Sequence, residues 1–337
     1  MRNAKQPTGV DVARMAGVSK SAVSRAFTGG SVSDDARQRI FDAARVLRYR
    51  PNQAARSLKT NRSRLIGLAV THLDNQFYPE VIERISEAIS EEGSRLVLFI
   101  THGEAELEPM IEELLGFSLD GVILASGSFA MIVADECRDA AMPVVMFNNV
   151  DLSGRIPGVA ADNTHGAATV AGHFIERGHK RTAVISGITE SSTSRERTDS
   201  FCKTMREAGL PAPIVVSGHY TPEGAARAVR DLLAASQPPT AIFCVNDHMA
   251  LSAIETCRDL GIEPGRDIAI AGFDNVAVAG WPSFSLTTYA QPVRQMVEAC
   301  VERLFAEVEG MPTDAKIDVV PGELIVRKSS AFRVSEP

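Results

Sequence analysis

The chain has 337 residues, a formal net charge of -7, 45% hydrophobic residues and 23% charged residues. This is the balance of a folded chain with room for two or three domains, which excludes disorder as its ground state. No apolar run approaches membrane length, the N-terminus lacks an apolar signal segment, and the five scattered cysteines form no C-x-x-C pair; a membrane span, secretion, a disulfide frame and a zinc site are thereby disfavoured, and a reducing cytoplasm is predicted.

Charge divides the chain. Residues 1–64 hold 14 Lys and Arg against 4 Asp and Glu, whereas the remainder holds 21 against 38. A basic head on an acidic body predicts that only the head meets a polyanion. Three helices can be read in that head. Thr8 and Asp11 have capping-box spacing before Val12, Ala13 and Ala16, and Gly17 supplies a stop. Ser19 caps a second helix to about Phe27, with Val23, Ala26 and Phe27 facing inward, and Gly29-Gly30 breaks it. Ser33 caps a third, in which Asp34 and Asp35 favour the positive helix start and Ala36, Ile40, Ala43, Ala44 and Leu47 recur at helical spacing until Pro51.

Two short helices joined by a Gly-containing turn, followed by a longer packing helix, make a helix-turn-helix unit. Such a unit lays its second helix in the major groove. Lys20, Ser21, Ser24 and Arg25 occupy the face left free by Val23 and Phe27. Arg and Lys reach guanine acceptors, and Ser bonds several bases or phosphate. Thr8 and Ser19, at the two helix starts, complete the predicted DNA-facing set. A protein-binding three-helix bundle is the alternative, and the charge count disfavours it.

The runs "VDVARMAGVSKSAVSRAF" and "VSDDARQRIFDAARVLRYRPNQAARSLKTNRSRLIGL" resemble, in order, the head, junction, hinge and first body strand of the LacI/GalR family of bacterial transcription regulators. The resemblance extends through the chain. It implies that Lys20 and Ser21 hold the main base-reading positions, with Arg25 beside them. It also implies that Asn52, Ala55 and Leu58 belong to a hinge helix whose leucine wedges into the minor groove. Gly9 and Ala22 depart from the pattern, where an apolar residue and a Thr are usual. Independently of the resemblance, "NQAARSLK" is helix-forming but too short to be stable alone, so it is expected to fold only against DNA.

From residue 65, apolar runs alternate with amphipathic stretches: "LIGLAV", "RLVLFI", "GVILAS" and "PVVMFN", then "RTAVIS", "PIVVSG", "AIFCVN" and "DIAIAGF". The pattern predicts two doubly wound parallel sheets, a periplasmic-binding-protein-like body behind an α-helical head. The expected division is 1–51 for the DNA-binding head and 52–64 for hinge and linker. The body then splits into 65–161 with about 291–318, and 162–290 with about 319–332.

Ligands of such folds bind past the carboxyl ends of strands, here in the cleft between halves. Thr71, Phe77, Tyr78, Asn148-Asn149, Arg197, Asn246-Asp247 and Asp274-Asn275 follow predicted strand ends. Amides and carboxylates there can hold hydroxyls, Arg can grip oxygens, and aromatic faces can stack on a ring; the same residue types also form turns. The resemblance raises Asn149, Arg197, Asn246 and Asp274 to effector ligands. Ser200 departs from its "R-x-x-G-F" segment, and Asn149 stands where sugar-binding members often carry Asp. Trp281, the sole tryptophan, is included in the effector-binding set, with packing at the cleft rim or a dimer surface as the equal alternative to touching ligand.

No catalytic or metal-ligand spacing is present, and an enzyme on a doubly wound fold lacks any motif. The expected function is a cytoplasmic DNA-binding repressor controlled by a small effector, a sugar, sugar acid or similar, without a further cofactor. It would act as a homodimer on a pseudo-palindromic operator. A cytoplasmic sugar-binding protein without a regulatory role is the alternative.

Overall fold

A computed structural model of the protein describes residues 7–50, 62–71, 73–101, 104–125, 129–311, 314 and 316–334. The chain separates into two units, Met1–Ser63 and Arg64–Pro337. Asn52, Ala55 and Leu58 of the expected hinge lie outside the described residues.

The first unit contains α1 (Gly9–Ala16), α2 (Lys20–Phe27) and α3 (Asp34–Val46). The Asp11 carboxylate accepts from both the backbone N–H and the hydroxyl of Thr8, at 2.9 and 2.7 Å. Ser19 and Ser33 hydroxyls accept from the N–H groups of Ala22 and Ala36 at 3.1 and 3.3 Å. The three backbone N–H contacts each satisfy a donor that a helix start leaves open. Val12, Val23 and Ile40 meet in the core of the unit. Gly9 leaves room for Tyr49, whose hydroxyl would stand 3.2 Å from a Cβ there, so an aromatic ring fills the space of the apolar residue missing at position 9. The third helix stops earlier than Pro51 predicts. Leu47 caps it, and Arg48 takes a positive φ of 52° that ends the helical turn.

The second unit is built on two six-stranded sheets. The first sheet, in the order β11-β5-β4-β3-β1-β2, holds β1 (Leu65–Thr71), β2 (Arg95–Thr101), β3 (Gly121–Ala125), β4 (Val144–Phe147), β5 (Gly158–Ala161) and β11 (Ile317–Val320). The second, in the order β12-β10-β9-β8-β6-β7, holds β6 (Thr182–Ser186), β7 (Ile214–Ser217), β8 (Ala241–Cys244), β9 (Ala269–Asp274), β10 (Thr287–Ala290) and β12 (Glu323–Ile325). All pairings are parallel except β10 with β12. That exception departs from the all-parallel expectation. Only Pro321 and Gly322 separate β11 in one sheet from β12 in the other, so the chain enters the second sheet running against its neighbour.

Helices α4 (Phe77–Glu91), α5 (Leu107–Gly116), α6 (Ala130–Asp139) and α11 (Val293–Val308) cover the first sheet. Helices α7 (Asn163–Glu176), α8 (Ser192–Glu207), α9 (Pro222–Ala234) and α10 (Asp247–Asp259) cover the second. Buried strands such as β3, β4 and β8, apolar on both faces, follow from helices packing on each side. Phe147, Phe174, Phe201 and Phe243 are fully buried there, each side chain contributing about 1.5–3 kcal/mol. The chain passes between sheets three times, at 161–163, 290–293 and 320–323.

Candidate ligand cleft and nucleic-acid-reading helix

Helix α2 has two chemically distinct faces. Ala22, Val23 and Ala26 are buried, whereas Ser19, Lys20, Ser21, Ser24 and Arg25 are exposed, as is Thr8 at the start of α1. Ser19 is occupied as a cap and its hydroxyl lies 2.9 Å from that of Ser21. Arg25 directs Nε to the Ser31 carbonyl at 3.1 Å, which steadies the side chain while its terminal nitrogens stay available. Two further cations have structural duties. Arg37 donates to the carbonyls of Ala26 and Gly30 at 3.1 and 3.0 Å, and Arg39 to that of Ala16 at 3.0 Å. They close the carboxyl ends of α2 and α1, where carbonyls lack helical partners.

In the second unit, a cleft of about 780 Å³, counting the space at its mouth, lies between the carboxyl ends of the two sheets. Thr71, Phe77, Tyr78, Asn149, Arg197, Asn246 and Asp274 all line it. Trp281 does not; it is 56% exposed on the short turn after β9.

The floor is a buried polar network. Arg197 on α8 is stacked 3.7 Å from the centre of the Phe273 ring. Its Nε donates to Asn163 Oδ1 at 2.8 Å, and Nη1 donates to the Val245 carbonyl at 2.7 Å and lies 3.5 Å from Asp274 Oδ1. Its Nη2 is buried without a protein partner. Asp274 ends β9 with a φ of 130°, a conformation that aims its carboxylate off the strand end. Gln291 donates to it at 2.7 Å. Behind it, the fully buried Asp247 accepts from the Thr288 hydroxyl at 2.6 Å and the Val276 N–H at 3.0 Å. Burial raises the pKa of both carboxyls; the charge of Asp274 adds to the rise at Asp247, while Arg197 opposes it at Asp274.

Asn246, which lines the cleft, spends its carboxamide oxygen capping α10, accepting from Met249 N–H at 3.0 Å. Asn149 is more heavily committed, because its oxygen accepts from the N–H and hydroxyl of Ser192 and its nitrogen donates to Ser191. The aromatic wall includes a residue the sequence did not single out. Tyr220 bonds Ser191 and Thr193 at 2.9 and 3.0 Å, and its ring lies against Gly187, where a Cβ would come within 2.2 Å. Burial, then Tyr220 and Asp274, raises the Tyr78 pKa, so its hydroxyl stays protonated. Asp74 and His248 approach to 3.8 Å across the cleft; burial lowers the His248 pKa against the pull of Asp74. Tyr220 follows "PIVVSG" and Gln291 follows β10, so the strand-end criterion reaches the first but not the second, whose strand "TTYA" carries no long apolar run.

Among the described residues no helix is long and apolar enough to cross a membrane, and no cluster of three or more His, Cys, Asp or Glu could hold a metal. Residues 10–52 match the bacterial regulatory proteins of the lacI family, and residues 171–330 match the periplasmic binding protein-like domain. The chain is 32% identical over 324 residues to the HTH-type transcriptional repressor PurR of Photobacterium profundum, covering 95% of this chain and 97% of that protein. It is 29% identical to catabolite control protein A of Priestia megaterium over 325 residues, 95% and 98% of the two chains. Among solved structures it resembles the Lac repressor dimer bound to operator and the anti-inducer ONPF, with a TM-score of 0.85, 25% identity and coverage of 97% and 100%. It also resembles the transcriptional regulator CelR–cellobiose complex, with a TM-score of 0.75, 27% identity and coverage of 96% and 100%. The chain belongs to the lacI family of bacterial regulatory proteins.

Proposed function

We propose that this protein is a cytoplasmic repressor that binds a pseudo-palindromic DNA operator as a homodimer and is controlled by a small metabolite in the cleft. The observation that carries the DNA half is the two-faced α2, whose buried Ala22, Val23 and Ala26 hold Lys20, Ser21, Ser24 and Arg25 together on one exposed face. That arrangement suits a major groove, with one head per half-site. Thr8 and Ser19 flank it with groups able to meet phosphate.

The body is assigned as two subdomains, 65–161 with about 291–318 and 162–290 with about 319–332. Their cleft offers amides, hydroxyls and aromatic faces around Arg197 and Asp274, which suits a sugar, sugar acid or similar hydroxyl-bearing compound. Thr71, Phe77, Tyr78, Arg197, Asn246 and Asp274 are assigned as its contacts. The protein acts by binding and not by catalysis. Effector affinity must differ between the DNA-bound and free states, because only that difference can move the equilibrium.

Selection from random-sequence duplexes at physiological salt tests this reading. The expected product is a two-fold symmetric consensus whose affinity falls steeply with added salt. Recovery of no preferred sequence would overturn it. Thermal-shift screening of sugars, sugar acids, polyols and nucleobases then identifies the effector as a compound that raises the midpoint and alters affinity for the selected duplex.

A further inference from the structure

The buried ion pair on the cleft floor is held from both ends by residues of the segments that join the two sheets. Asn163 is the first residue of α7, directly after the 161–163 passage, and its Oδ1 accepts from Arg197 Nε at 2.8 Å. Gln291 lies in the 290–293 passage, and its Nε2 donates to Asp274 Oδ1 at 2.7 Å. Arg197 Nη1 and Asp274 Oδ1, 3.5 Å apart, close the chain between them. The third passage is stitched to the other two, because Asp162 N–H donates to the Val320 carbonyl and Gly322 N–H to the Tyr289 hydroxyl, both at 2.9 Å.

All four side chains of this relay are at most 7% exposed, where hydrogen bonds to charged groups are stronger than in water. Two of its polar atoms are unspent: Arg197 Nη2 and Gln291 Oε1 are buried without protein partners. One is a donor on the ion pair and the other an acceptor on a passage. Arg197 lines the cleft, so a hydroxyl-bearing ligand that satisfies Nη2 must pull on a group whose Nε is fixed to a passage, because the guanidinium is planar and turns as one piece.

We propose that Asn163 and Gln291 are positioning residues that transmit occupancy of the cleft floor to the passages that join the two sheets. The role rests on the cleft being the effector site, yet its mechanical part is present in the free protein. Loosening one passage residue must therefore loosen the other passage through Arg197 and Asp274, and the effect must be reciprocal.

Amide hydrogen exchange on the full-length protein, without DNA or ligand, tests the relay. In Asn163→Ala, exchange is expected to rise about tenfold in residues 290–294 as well as in its own segment, the scale of losing one buried charge-assisted bond. Gln291→Ala is expected to raise exchange at 162–166 by a similar factor. The double variant should exchange at 290–294 no faster than Gln291→Ala alone, because one broken chain cannot be broken twice. Thr169→Ala, at a half-buried position of α7 outside the relay, sets the local baseline and should leave 290–294 unchanged. Effects confined to each variant's own segment, or multiplying in the double variant, overturn the proposal. Should Asn163→Ala fail to fold, Gln291→Ala read at 162–166 decides alone. These outcomes are independent of whether duplex selection succeeds, so failure of the relay and failure of the repressor reading are separable.

Discussion

Asn149 and Ser192 join the two halves of the body across the cleft. The Asn149 Oδ1 accepts from the Ser192 backbone N–H at 2.9 Å and from its hydroxyl at 2.7 Å, while the Ser192 hydroxyl is also 3.0 Å from the Val150 N–H. Asn149, which also lines the cleft, thus clasps the start of α8. Asn149→Ala leaves the Ser192 N–H without its acceptor, at a cost of about 1–3 kcal/mol. Urea unfolding should show that loss in the ligand-free protein. A stability unchanged within error would return Asn149 to a ligand-only role.

The contact between Gly187 and Tyr220 gives a second test. A methyl at position 187 would sit 2.2 Å from the Tyr220 ring, so Gly187→Ala must push the ring out of place and break its bonds to Ser191 and Thr193. The expected destabilisation is about 1–3 kcal/mol, with a changed near-ultraviolet tyrosine signal. Gly187→Ala with native stability and spectrum would mean that the ring is free to move aside.

Much of this architecture was legible because its determinants are local. The cap at Ser19, the stop at Gly17 and the buried Val23 and Ala26 lie within one short window, and the structure uses each as the sequence predicts. Strand-end position was enough to bring Thr71, Asn246 and Asp274 to one cleft, and the resemblance added Arg197 from the helix that follows β6. What escaped depends on partners far away in the chain. Asn163 and Gln291 acquire meaning only when Arg197 and Asp274 fold against them. The bonds of Asn149 to Ser191 and Ser192 likewise depend on residues more than forty positions away. The antiparallel β12 follows from a two-residue link between sheets that no periodicity encodes.

His173 gives the fold a pH limit. Arg177 donates to its Nδ1 at 3.0 Å, so that nitrogen is an acceptor and Nε2 carries the proton toward the Ser330 hydroxyl at 2.7 Å. Burial, then the charges of Arg177 and His179, lowers the pKa from 6.5 to about 4. The unfolded chain therefore binds a proton that the folded chain refuses. Stability from this group is complete above the unfolded value of 6.5, and it is lost as pH falls toward about 4. The loss amounts to at most about 3 kcal/mol. Denaturant titrations from pH 7 to 4 should give a shallower decline for His173→Gln than for the wild type. Parallel declines would place the proton uptake elsewhere.

Lys20 and Arg37 should separate reading DNA from building the reader. Lys20 is exposed at the start of α2, whereas Arg37 bonds the Ala26 and Gly30 carbonyls at the other end of that helix. Lys20→Ala is expected to cost about 1–3 kcal/mol against the selected duplex and to relax preference at one base pair in each half-site. Its effect on duplexes unrelated to the selected site should be small. Arg37→Ala leaves two carbonyls without their donor, which should lower the melting temperature of the first unit and weaken binding to every sequence alike. Competition binding against a panel of single-base variants, alongside thermal unfolding, distinguishes the two patterns. Uniform weakening by Lys20→Ala, with no position relaxed, would make Lys20 a phosphate contact and leave base reading to Ser21 and Arg25.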